Sequence, residues 1–233
     1  MSPIGYYRRH LLGYMRHDGL PGWETPTTKF ELWSTILESY HPGEQLPVVR
    51  EPQESPYSTP DVYEEYPIVI TTGRRIPVFF HSEGRQQPYT REQAVAPTFQ
   101  INPETAADLG IEQGDWCWIE SRRGKVRLIA DLFYGIAPGV IESDHGWWFP
   151  ELPAPSHGWE LSNINALVDD QAQCPISGAT TLRGYLVKVY KATPENCPDG
   201  SVIPCAQEDG TPIIVEPDDP RLKAWMPMKP EEV

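Results

Sequence analysis

Twenty-six prolines in a chain of 233 residues constrain the fold more than any other feature. Roughly 5% proline is usual. Proline has no N–H to donate and holds φ near one value, so it breaks helix interiors and central strands but suits turns, helix starts and extended segments. An all-helical fold is excluded on this ground, and short strands joined by turns are expected. With 39% apolar residues, 8 Trp and 11 Tyr, the chain still has material for a core, and its length is enough to bury one.

The residues separate into three zones. Residues 1–65 read as an irregular lead-in, with Gly19, Gly22 and several prolines. One helix is expected there, over Lys29 to Tyr40, because Phe30, Trp33, Leu37 and Tyr40 recur at helical spacing. Residues 66–190 carry the core. Pro67-Ile-Val-Ile70 is a continuous apolar run suited to a strand covered on both faces.

A short helix should follow at Asn102-Pro-Glu-Thr-Ala-Ala-Asp-Leu-Gly110. Asn102 can cap the first free N–H groups, Pro103 fits the first turn, and Gly110 can take the left-handed closing conformation. Trp116 to Glu120 and Lys125 to Ala130 form a hairpin about the turn Ser121-Arg-Arg-Gly124. Val126 and Leu128 alternate with Lys125 and Arg127, implying one wet face. Pro138-Gly139 marks a turn before Val140-Ile141, and Leu182 to Tyr190 supplies a last strand. So many short strands with few short helices point to a mainly β fold closed as a barrel. Residues 191–233 are acidic and Pro-rich without periodicity, an extended tail that is either disordered or wrapped along a larger surface.

The net charge of −14 disfavours non-specific nucleic-acid binding, although a local group of Arg and backbone N–H groups suffices for a small anionic ligand. No run of 18 apolar residues is present, so no membrane span is expected. Arg8-Arg9 has the look of a twin-arginine signal, but the apolar stretch behind it, Leu11 to Met15, is too short for one, and the compartment stays open. Cys117, Cys174, Cys197 and Cys205 show no CxxC spacing. Cys117 reads as a core thiol; Cys197 and Cys205 read as free thiols or as a loop disulfide.

Six segments, in order, resemble the C-terminal domain of the dimethyl sulfoxide reductase family. They are Gly22-Trp-Glu-Thr-Pro-Thr-Thr-Lys-Phe-Glu-Leu32, with Thr28 where Gly is more usual; Tyr66-Pro-Ile-Val-Ile-Thr-Thr-Gly-Arg74; and Phe80-His-Ser-Glu-Gly-Arg85. Next come Ile101 through Asp115 with its hairpin, Pro138-Gly-Val-Ile through His145-Gly-Trp-Trp148, and Ser162-Asn-Ile-Asn-Ala-Leu167 followed by Ser177-Gly178. The resemblance implies a double-psi β-barrel over residues 66–190 that holds molybdopterin guanine dinucleotide, with molybdenum or tungsten bound through the rest of the enzyme. It implies as partners the upstream domains and an iron–sulfur electron-transfer subunit. Complete family members are several times longer and supply the metal ligand upstream. This chain is then an excised domain or a separate subunit that does not turn over substrate alone, and no catalytic residue or metal ligand is assigned to it.

Such a ligand is elongated, anionic at its pyrophosphate, and edged with donors and acceptors. Thr72, Gly73 and Arg74 offer a hydroxyl, close backbone approach and a cation; the plain alternative is a strand-ending turn. His81 and Ser82 can donate to pterin or phosphate atoms. Arg85 and Arg91 add charge or face water. In His145-Gly146-Trp147-Trp148, indoles can wall a flat ring or simply fill the core; one buried Trp with His145 near the ligand is expected. Asn163 and Asn165 point the same way if extended, and a carboxamide matches a pterin edge; otherwise they cap their own loop. Gly178 completes the wall, with Arg183-Gly184 beside it.

Two other functions compete. A stand-alone barrel of this kind could self-process to a pyruvoyl enzyme, but its Gly-Ser bond would be Gly200-Ser201, in the tail. A carbohydrate-binding module would need Trp23, Trp147, Trp148 and Trp159 as an exposed platform.

Overall fold

The structure, a computed structural model, describes residues 8–73, 76–91, 93–94, 96–150, 152–181 and 183–197. They fall into two compact units that meet in sequence at Arg50 and Glu51.

In the first unit the expected helix is shorter than the apolar spacing suggests, with α1 spanning Thr35–Tyr40. The cause is local. Ser34 takes an extended conformation and its side chain accepts from the Leu37 N–H, starting the helix there. Glu31, at the other side of the cap, is occupied with the backbone N–H and hydroxyl groups of Thr27 and Thr35. Phe30 and Trp33 thus precede the helix. A tight crossing joins Gly22 N–H to His10 O (2.8 Å) and Trp23 N–H to Thr28 O (3.0 Å). Thr28 lies at φ 60°, left-handed backbone that glycine adopts freely and a β-branched residue does not.

The second unit begins with α2 (Pro60–Glu65) and then builds six strands: β1 (Ile68–Thr71), β2 (Thr98–Ile101), β3 (Trp116–Glu120), β4 (Lys125–Leu132), β5 (Val140–Ser143) and β6 (Tyr185–Lys191). Between them lie α3 (Pro88–Arg91), α4 (Pro103–Asp108) and α5 (Trp159–Ser162). The strands close in the order β1-β5-β2-β4-β3-β6. β1 runs parallel to β5 and β2 parallel to β4, while every other neighbouring pair is antiparallel. This closed six-stranded arrangement is the double-psi barrel that the sequence resemblance implies.

Side chains alternate across the wall. Ile70, Phe99, Ile101, Cys117, Ile119, Val126, Leu128, Ile141 and Val187 fill the interior. The Cys117 thiol is sealed there, and burial pushes its pKa up to about 12. Outside, Val69 packs with Val62, Tyr66 and Leu186, so β1 is covered on both faces as its apolar run suggests. α4 follows its sequence signals: the Asn102 side chain accepts from Glu104 N–H (2.9 Å), Pro103 opens the first turn, and Gly110 turns at φ 67°.

One expectation is corrected. The outer face of the hairpin is wet only at its turn end: Lys125 is exposed, but Arg127 is 1% exposed. Its guanidinium lies 5.0 Å from the Trp118 ring, under a second apolar layer made by Phe79, Trp116, Trp118, Trp147, Phe149 and Leu152. Loops far away in sequence supply that cover, so alternation along β4 alone cannot reveal it.

Candidate functional site

Strand direction decides where loops collect. With β1, β3 and β5 running one way and β2, β4 and β6 the other, the connections 72–97, 121–124 and 144–184 all leave from one end of the barrel. Of the connections between strands, 102–115 and 133–139 lie at the opposite end. Every described candidate residue sits on the first set. Arg74 lies outside the described residues, as does Gly200-Ser201.

At the end of β1, Thr72 is buried and Gly73 is exposed. A Cβ on Gly73 would lie 3.6 Å from a Glu142 carboxylate oxygen and 3.8 Å from Arg183 Cζ, so the ends of β1 and β5 meet the approach to β6 there. Arg183 is exposed beside it.

The second group joins the two long loops. His81 Nδ1 and His145 Nε2 are 2.6 Å apart, so one ring donates and the other accepts. His81 is held at φ 55°. Trp148 Nε1–H donates to Ser82 O at 2.7 Å. Gly146, at φ 78°, leaves room for this approach: a Cβ there would stand 3.3 Å from Ser82 N and 3.4 Å from the His81 carbonyl carbon.

Beneath this crossing the arginines are not solvated. Arg85 is 2% exposed, with its guanidinium 4.2 Å from the Phe79 ring and 4.7 Å from Trp147. Burial lowers its pKa to about 10, with Asp144 opposing the shift and Arg91 adding to it. Arg91 is also fully buried, 5.1 Å from Trp147. Arg85 Nε and Trp147 Nε1 are buried without a hydrogen-bond partner. Trp147 is thus part of the second core, with Trp148 half-buried next to the histidine pair. Because Trp147 is sealed inside, it cannot join Trp148 and Trp159 in an exposed sugar-stacking platform.

The asparagines adopt the capping alternative. Asn163 and Asn165 are not on an extended stretch, because Ile164–Leu167 is a 3-10 turn whose N-cap is Asn163. Asn163 Oδ1 accepts from Asn165 N–H at 3.0 Å, and the Asn165 side chain is exposed. The Ser121 hydroxyl donates to Leu167 O (2.9 Å), tying this turn to the β3–β4 connection. Gly178 (φ 70°) lies in an exposed loop closed by Cys174 N–H to Ala179 O, with open space around it.

Sequence reasoning missed a charged cluster on the same end. Glu54 accepts from Arg122 and Arg123, both at 2.6 Å, and Arg123 also pairs with Asp169. Burial alone would raise the Glu54 pKa, but the hydrogen bonds from Arg123, Arg122 and Leu186 N–H hold it below the usual carboxylate range. These residues line an open cleft with Tyr185 at its wall. Two adjacent arginines in a four-residue turn were the available signal; Glu54, 68 residues away in sequence, gave none.

A closed barrel with exposed glycines, amide and hydroxyl side chains and arginines gathered at one end defines a domain built to hold an extended polar ligand. The comparisons with known proteins say which. Residues 68–185 match the family described as "Molydopterin dinucleotide binding domain", and the chain belongs to that family. It is 50% identical, over 96% of its length, to dopamine dehydroxylase of Eggerthella lenta, and 32% identical over 79% to acetylene hydratase of Syntrophotalea acetylenica. Among solved structures, acetylene hydratase from Pelobacter acetylenicus superimposes on 76% of the chain with a TM-score of 0.67 and 30% identity. The chain spans 24% and 26% of the length of those two curated relatives, and 25% of the solved chain.

The family ligand is molybdopterin guanine dinucleotide carrying molybdenum or tungsten, and the rim fits it. Gly73, Ser82, Asn165, Gly178 and Arg183 are exposed there, so open backbone, a hydroxyl, a carboxamide and a guanidinium are all accessible to a polar, anionic ligand. Among the described residues no group of His, Cys, Asp and Glu could hold a metal ion, and no helix is long and apolar enough to cross a membrane.

Proposed function

We propose that the chain is the C-terminal, cofactor-holding portion of a larger molybdopterin oxidoreductase, and that it turns over no substrate by itself. The observation that carries this reading is the convergence of loops 72–97, 121–124 and 144–184 at one barrel end, in a domain whose family binds the dinucleotide. In this reading Gly73, Ser82, Asn165 and Gly178 touch the cofactor directly. Arg74, placed by the sequence after Gly73, would add a cation. Thr72, His81, His145 and Asn163 shape the loops that carry these contacts, and Trp147 supports them from the core. The pterin-bound metal would supply the redox chemistry; its protein ligand and any iron–sulfur cluster would come from upstream domains or an electron-transfer subunit.

The fuller match to the dehydroxylase than to the hydratase favours redox chemistry over hydration for the parent enzyme. The test combines this chain with its upstream portion and measures pterin content after oxidative release. Wild-type chain should retain the cofactor and support turnover only in that assembly. A Ser82→Ala/Asn165→Ala double variant, altered at two polar side chains, should retain it about tenfold more weakly. Undiminished loading of that variant, or turnover by the isolated chain, would sink the reading.

A further inference from the structure

The first unit is ordered but has almost no interior. Its internal hydrogen bonds are polar and local: Glu31 gathers Thr27 and Thr35, Trp33 Nε1–H donates to Glu38, and Thr25 Oγ1 donates to Lys29 O. Its helix is six residues long and buries none of them. Alone, a helix of that length is marginal in water.

Its apolar side chains face outward instead. Within eleven residues, Phe30, Leu32, Trp33, Ile36 and Tyr40 are between 44% and 78% exposed. Together they leave on the order of 600 Å² of side-chain surface uncovered within one short stretch.

We infer that this exposed apolar stretch docks on the upstream portion of the parent enzyme. The inference rests on the proposed function, because that reading supplies the upstream portion. The length relation argues for this occupant: the alignment with the dehydroxylase takes in 96% of the present chain, and so this segment, but only 24% of the relative. A surface of aromatic and aliphatic side chains is suited to protein rather than to a polar or nucleic-acid partner.

The experiment mixes the full chain with the upstream portion and measures affinity, pterin content and amide exchange over residues 30–40. The wild-type chain should bind, and those amides should become protected on binding. A Leu32→Asp/Trp33→Ser/Ile36→Asp variant should bind about tenfold more weakly or worse, with the thermal midpoint of the barrel unchanged. Unchanged affinity of the variant, or no protection of residues 30–40 in the wild-type complex, overturns the inference. So does a homodimer of the isolated chain that the three substitutions abolish. Binding through this face without pterin retention would leave the docking standing and remove the cofactor reading; pterin retention with an unaffected variant would do the reverse.

Discussion

Thr28 shows how a single residue can be legible in sequence yet explained only by geometry. The sequence resemblance leads one to expect glycine there, and its φ of 60° is the backbone that glycine suits. A left-handed conformation costs a residue with a Cβ roughly 1–2 kcal/mol, partly offset in comparison with glycine by glycine's freer unfolded chain. Thr28→Gly should therefore stabilise the crossing by about 0.5–1 kcal/mol, read as slower exchange of the Trp23 amide, which donates to Thr28 O. Faster exchange would contradict the strain argument. The neighbouring Gly22 should not tolerate the reverse change, since a Cβ there would stand 2.6 Å from the same carbonyl oxygen. Asn163 is the opposite case. Its residue type fits either a ligand contact or a cap, and only the backbone decides; it spends its oxygen on Asn165 N–H.

Elements whose signals are local were readable. In α4, cap, proline and closing glycine lie within nine residues and all act as expected. The hairpin follows from two β-rich runs around a polar turn, with Glu120 paired to Lys125. Elements whose environment comes from elsewhere were not: Arg127 on the outer face of β4 reads as solvated, and apolar spacing extends α1 back to Lys29 although the Ser34 cap starts it at Thr35. Asn102 joins both kinds of information. Its oxygen caps α4, and its amide donates to Ile136 O at 2.8 Å across the far end of the barrel. Asn102→Ala should then cost about 1–2 kcal/mol, at the upper end for a cap, because the half-buried Ile136 carbonyl also loses its partner. Urea unfolding measures it; a loss below about 0.5 kcal/mol would show that the second bond contributes nothing.

For the whole molecule, the sequence located the rim's main segments through their resemblance to a family, not through their chemistry. Separations such as 64 residues between His81 and His145, or 68 between Glu54 and Arg122, leave no periodic trace. The Glu54 cluster gives the fold a defined acid dependence. Its carboxylate pKa is depressed in the folded state, so its contribution is present above the ordinary carboxylate value and is lost as pH falls through the folded one. Between pH 5 and pH 3 the wild-type urea midpoint should fall more steeply than that of Glu54→Gln. At neutral pH the variant should be weaker by about 1–2 kcal/mol, less than for a sealed ion pair, because Arg122 is half exposed. Equal acid slopes would refute this.

Closure of the barrel has a further consequence. A continuous ring of hydrogen-bonded strands offers no free edge on which another polypeptide could add a strand. Recognition is therefore confined to the connecting loops and side chains, while the strands serve as an interchangeable chassis. Grafting the 144–184 connection from one relative onto another should transfer its contacts without redesign of the staves.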